Sequence, residues 1–178
     1  RDPDASRQAR LERLVEFGHA IKPLLQTKAY IPYSDMGTQN ADVRYMLSAV
    51  GIRVSSRDLQ NSTSGYYTAI SVLTGVRQAA RHLGLNLSGC TAAVEGFGSV
   101  GSSLAGLLAG EGIKVIAIST CRGALYNPSG LDIDRLVRLA EEAGSRVVEV
   151  YREADRIGRE KLLELQVDIL CPCARWNS

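Results

Sequence analysis

Apolar positions recur at two different periods along this chain, and the change of period divides it. Over 6–26, Leu11, Leu14, Val15, Ile21 and Leu25 fall at helical spacing, with Gly18 on the same face, the stripe expected of a 3.6-residue repeat. Pro23 is expected to kink or end that helix near its last turn, because proline has no N–H to donate and its ring meets the preceding carbonyl. Tyr30-Ile31-Pro32-Tyr33 reads as extended, since the residue before a proline avoids the helical region. After a loop holding Asp35, Gly37 and Thr38, Val43, Met46, Leu47 and Val50 trace a second helix stopped by Gly51. A long helix is predicted over 65–84, burying Ala69, Ile70, Leu73, Val76, Ala80 and Leu83 and ending at Gly84.

Beyond that helix, strands and helices alternate. A strand over 91–95 leads through a glycine loop into a helix over 99–110, and a strand over 114–119 follows. A turn-rich excursion through Asn127-Pro128-Ser129-Gly130 precedes a helix that Asp132 caps and Gly144 terminates, with Ile133, Leu136, Val137 and Ala140 on its apolar face. Strands over 147–151 and 167–171, with a short helix around Leu162 between them, complete the pattern. Short apolar strands alternating with helices predict an α/β fold, a doubly wound parallel sheet covered on both faces. The polar run from 52 to 64 marks the boundary between two domains, 1–60 and 61–178.

Composition narrows the function classes. Of 178 residues, 45% are hydrophobic and 22% charged, ordinary for a globular protein. The net charge of +2 gives no electrostatic reason to expect nucleic acid or an anionic membrane as partner. Apolar runs such as Val115-Ile116-Ala117-Ile118 are far too short to span a bilayer, and the polar start Arg1-Asp2-Pro3-Asp4 shows no secretory signal. Cys90, Cys121, Cys171 and Cys173 lack the paired Cys-x-x-Cys spacing that favours zinc. They read as inert thiols of a cytoplasmic protein, with no metal site.

The chemistry concentrates in Gly96-Phe97-Gly98-Ser99-Val100-Gly101, a G-x-G-x-x-G string. Such a string alone is a weak signal, but here it leaves an apolar strand and opens an amphipathic helix, the context of the Rossmann dinucleotide fingerprint. Gly96 makes the tight turn, Gly98 lets backbone approach a pyrophosphate, and Gly101 lets the helix pack closely on the strand. Free N–H groups at the helix start then face the diphosphate. An acid about twenty residues on would grip both ribose hydroxyls of NAD. Nineteen positions beyond Gly101 stands Thr120, followed by Cys121 and Arg122, and no acid is present. A hydroxyl and a guanidinium suit a 2′-phosphate, so NADP is preferred over NAD, although Arg122 also reads as a solvated turn residue.

Four segments in order resemble the glutamate, leucine, phenylalanine and valine dehydrogenase family, and its glutamate dehydrogenase branch in particular. They are Tyr30-Ile31-Pro32-Tyr33-Ser34-Asp35-Met36-Gly37-Thr38; Val94-Glu95-Gly96-Phe97-Gly98-Ser99-Val100-Gly101; Gly123-Ala124-Leu125-Tyr126-Asn127-Pro128-Ser129-Gly130-Leu131-Asp132; and Asp168-Ile169-Leu170-Cys171-Pro172-Cys173-Ala174. The resemblance implies oxidative deamination of an L-amino acid to a 2-oxo acid, with hydride passing to the nicotinamide of NADP or NAD. It implies a Rossmann domain preceded by a mostly helical part of a catalytic domain, a cleft between them, and a homo-oligomer. It maps the family's catalytic aspartate onto Asp35, a proton shuttle to the amino group; without that frame Asp35 is a turn residue beside glycine. Ser62 takes the place of a threonine near the nicotinamide amide, though it also reads as a helix cap. Ala174 and Asn177 fall in a segment beside the nicotinamide ring.

The sequence also departs from the family pattern. The essential lysines of the family lie in segments that would precede Arg1, and Lys22 and Lys28 stand in no such frame. The linker after Gly51 is short, and family members continue beyond Asn177. Two expectations follow: a dehydrogenase represented by part of its chain, or a non-catalytic nucleotide-binding homologue. On the first, these 178 residues bind cofactor but turn over no amino acid.

Overall fold

A computed structural model of the chain describes residues 6–34, 38–53 and 64–174. The chain divides into two units, Arg1–Ser62 and Thr63–Ser178. In the first, α1 (Arg7–Ala20), α2 (Lys22–Gln26) and α3 (Asn40–Ala49) bury Leu25, Val43, Met46, Leu47 and Val50. The expected helix over 6–26 is two helices. α1 stops at Ala20, and Pro23 stands in the first turn of α2, where its missing N–H has no helical partner to lose. Ser6 caps α1 by accepting from the Ala9 N–H, and Gln39 and Asp42 form a reciprocal capping box on α3. A Cβ on Gly18 would lie 2.8 Å from Met46 Cγ, so the missing side chain lets α1 approach α3.

The second unit is built on a five-stranded sheet among the described residues. Its elements are α4 (Ser64–Leu83), β1 (Thr91–Glu95), α5 (Ser99–Gly110), β2 (Lys114–Thr120), β3 (Gly123–Tyr126), α6 (Ile133–Ala143), a 3-10 turn (Gly144–Arg146), α7 (Val147–Val150), β4 (Asp155–Ile157), α8 (Arg159–Leu163) and β5 (Ile169–Pro172). The strand order is β4-β3-β2-β1-β5. β1 lies between β2 and β5 and is parallel to both, as the β1–α5–β2 crossover requires. One face of the sheet presents Ala92, Val94, Ile118 and Leu125 to a core with Ala69 and Leu73 of α4, Leu104 and Leu108 of α5, and Leu136 of α6. Leu104, Leu108 and Leu136 are fully buried, each contributing about 1.5–3 kcal/mol of burial. The other face presents Ala93, Ala117 and Ala124 to Leu162 of α8.

The α/β fold expected from the sequence holds, and its parallel sheet is extended by antiparallel strands. Thr120 pairs with Gly123 across the two-residue turn Cys121–Arg122, so β2 and β3 form an antiparallel hairpin, and β4 joins β3 antiparallel. Four residues placed in the turn-rich excursion are therefore a strand. The expected strand over 147–151 is helical over Val147–Val150 instead: Gly144, at φ 58°, ends α6 with a positive φ, and the chain passes through the 3-10 turn into α7. Val147, Val148 and Tyr151 are buried there at helical, not alternating, spacing. Asp132 caps α6 through the Arg135 N–H, and the Asp168 carboxylate, before β5, accepts from Thr91 N–H and hydroxyl at the start of β1. Those bonds hold the Asp168 carboxyl below its usual pKa.

Candidate functional site

The corner between β1 and α5 is shaped by three glycines with distinct surroundings. Gly96 has φ 90°, a backbone that L side chains rarely adopt, and a Cβ there would lie 2.8 Å from the Ala174 nitrogen. Gly101 backs onto the same turn: any Cβ it carried would overlap the Gly96 carbonyl oxygen. Gly98, the N-cap of α5, has nothing within 4 Å of the equivalent position, so space opens in front of its backbone. No side chain caps α5. The first N–H groups of α5 therefore have no capping side chain, and they carry the positive end of the helix dipole.

The loop is anchored from the neighbouring strand. Ser119 on β2 is buried; its hydroxyl accepts from the Gly96 N–H at 3.0 Å and its carbonyl accepts from the Phe97 N–H at 2.6 Å. The Phe97 side chain is buried in the main core, so what this residue lends the corner is an anchor rather than a free donor. From the other side, the Cys173 N–H donates to the Glu95 carbonyl at 2.7 Å, which brings Ala174 against Gly96. On α4, a Cβ on Gly65 would overlap Ser99 Oγ and fall 2.8 Å from the Ser99 carbonyl, so the start of α4 is packed tightly on the start of α5.

Thr120 and Arg122 sit at the β2–β3 turn. The buried Thr120 hydroxyl donates to the Ser145 carbonyl at 2.8 Å and accepts from the Arg122 N–H at 3.1 Å, which fixes the turn and leaves the exposed Arg122 guanidinium projecting from it. Burial pushes the Cys171 thiol up to about 11, with a smaller push from Cys173, and burial followed by the Glu95 charge raises Cys173. Both thiols beside the corner are therefore neutral near pH 7. Among the described residues, no group of three or more His, Cys, Asp or Glu could hold a metal ion, and no helix is long and apolar enough to cross a membrane.

The structure thus gathers Gly96, Phe97, Gly98, Ser99, Val100, Gly101, Thr120, Arg122 and Ala174 at the carboxyl ends of the parallel strands β1, β2 and β5, where ligands bind in open α/β sheets. Asp35, Ser62 and Asn177 lie outside the described residues. Sequence reasoning missed Ser119, Gly65 and Ser145. All three act through contacts between segments distant in the chain, and only the small size of Ser119 and Gly65 in otherwise apolar elements hinted at them.

Comparison with known proteins agrees with this architecture. The chain is 47% identical over 93 residues to the glutamate dehydrogenase of Thermotoga maritima, a match covering 52% of this chain and 22% of that protein. It is 30% identical over 191 residues to the NADP-specific glutamate dehydrogenase A1 of Halobacterium salinarum, covering 99% of this chain and 45% of the relative. The chain therefore spans less than half the length of these relatives. The hetero-hexameric glutamate dehydrogenase of Thermus thermophilus, solved in a Leu-bound form, superposes with a TM-score of 0.73 at 22% identity over 98% of this chain and 43% of that one, a likeness of fold. The family model of the glutamate/leucine/phenylalanine/valine dehydrogenases matches residues 62–178, and the chain belongs to that family.

Proposed function

We propose that residues 63–178 form the dinucleotide-binding domain of an NAD(P)-dependent amino-acid dehydrogenase, and that residues 1–62 are part of its catalytic domain. The reaction is oxidative deamination of an L-amino acid to a 2-oxo acid. The observation that carries this reading is the open space at Gly98 in front of the uncapped start of α5. The open side of Gly98 and the unpaired donors expected at a helix start both suit a diphosphate.

In this reading the N–H groups of Ser99, Val100 and Gly101 hold the pyrophosphate. Arg122 lies at the adenosine ribose, on a turn that Thr120 fixes. Ala174 stands beside the nicotinamide with Ser62 and Asn177, and Asp35 moves a proton to or from the substrate amino group. A bound nicotinamide supplies a two-electron acceptor for the substrate Cα–H. NADP is preferred to NAD because the end of β2 offers a guanidinium and no carboxylate, while the relatives include both NADP-specific and NAD-specific glutamate dehydrogenases. The names of the relatives make glutamate the first substrate to test. A cytoplasmic oligomer is the matching context.

The test is reduction of NADP followed by absorbance across a panel of L-amino acids, using the protein as the cell makes it, beside a fluorescence titration with NADPH. Amino-acid-dependent reduction supports the proposal. Absence of nicotinamide nucleotide binding at millimolar concentration contradicts it.

A further inference from the structure

A second arginine reaches the β2–β3 turn from the edge of the sheet. β4 pairs with β3 so that Arg156 lies opposite Leu125 and Ile157 opposite Ala124, at the end of β3 that emerges from the turn. Arg156 Nη2 stands 3.9 Å from the point a Cβ on Gly123 would occupy, and Gly123 directly follows Arg122. A side chain at Gly123 would point toward the guanidinium; its absence keeps that approach open.

The charges around the turn are unevenly balanced. Arg146, which the Thr120–Ser145 hydrogen bond brings to the same end of β2, is paired with Glu149 at 3.2 Å. Arg122 and Arg156 are both exposed, and among the described residues neither forms an ion pair. The acidic neighbour of Arg156 on β4, Asp155, is opposite Tyr126, toward the other end of β3, and consecutive strand residues point to opposite faces. Two guanidinium groups without acidic partners thus flank a turn at the carboxyl end of β2. A planar guanidinium is suited to a phosphate monoester, which it can hold through paired N–H donors.

We infer that Arg156 is a specificity-determining residue, which together with Arg122 clamps the phosphate monoester on the adenosine ribose of NADP. The inference rests on the reading of Gly96–Gly101 as the cofactor corner and names the second group that tells NADP from NAD there.

The experiment measures dissociation constants for NADP, NAD and adenosine 2′,5′-bisphosphate by calorimetry, on the wild-type protein and on Arg156→Gln, Arg156→Lys and Arg122→Ala. The expected result is that Arg156→Gln weakens NADP and the bisphosphate about tenfold or more, the scale of one lost charge-assisted hydrogen bond. NAD binding stays unchanged, Arg156→Lys falls between, and Arg122→Ala follows the same pattern. If the wild type binds NADP and Arg156→Gln alters NADP and NAD equally, or neither, this inference falls while the cofactor corner stands. If the wild type binds no nicotinamide nucleotide at millimolar concentration, both fall together.

Discussion

The space a Cβ would need at Gly101 is already taken by the carbonyl oxygen of Gly96. Helix α5 can therefore start as close to β1 as it does only while residue 101 lacks a side chain. Gly101→Ala forces α5 away from the turn, and a backbone oxygen cannot rotate aside as a flexible side chain could. We expect a loss of stability of about 1–3 kcal/mol, as for other overpacked core positions, read from denaturant unfolding. Cofactor affinity should fall with it, since the same displacement moves the helix start.

Gly98 separates the two effects. Its backbone, at φ −99° and ψ −159°, is extended and open to any residue, and a methyl there meets nothing within 4 Å. Gly98→Ala should leave stability within about 1 kcal/mol of wild type yet weaken NADPH binding about tenfold or more, because the methyl enters the volume proposed for the pyrophosphate. Unfolding and fluorescence titration on one preparation check both halves. Unchanged binding would remove the diphosphate from this corner.

The Thr120 hydroxyl makes two hydrogen bonds, to the Ser145 carbonyl and from the Arg122 N–H. Thr120→Val keeps the shape and deletes both, so stability should drop by about 1–2 kcal/mol, while Thr120→Ser should recover most of it. Thermal unfolding of the two variants side by side measures this. Loss in Thr120→Ser with none in Thr120→Val would show that the methyl, not the hydroxyl, matters.

Cys171 gives a pH signature. Its folded pKa, raised by burial to about 11, exceeds the ordinary 9.0, so the unfolded state releases its proton first as pH rises. The contribution of this thiol to stability is constant below about pH 9 and is lost progressively between about 9 and 11. Cys171→Ser should flatten that part of the stability–pH curve. Iodoacetamide at pH 8 should also modify exposed Cys121 first and Cys171 last, as peptide mass mapping would show.

The central βαβ unit was legible because each local signal agreed with the fold. Thr91–Glu95 and Lys114–Thr120 are apolar runs of strand length, and Ser99–Gly110 follows a glycine turn. The failures share a cause. Val147-Val148-Glu149-Val150 suits a strand or a buried helical turn equally, and tertiary packing decided for the helix. Gly123–Tyr126 and Asp155–Ile157 are so short that flanking turn residues concealed them, although Cys121–Arg122 proved to be a hairpin turn. At the site, the glycines announced themselves through spacing. Ser119 did not, because its role depends on β2 lying beside β1, a fact no local pattern encodes.

The most direct measurement of the central claim is an amide NMR titration of the protein with NADP. The account predicts saturable shifts of the Ser99, Val100 and Gly101 N–H resonances, all with one dissociation constant, and much weaker shifts with nicotinamide mononucleotide, which lacks the diphosphate bridge. If those three amides stay in place at millimolar NADP, or the shifts cluster on another part of the chain, α5 does not receive the pyrophosphate.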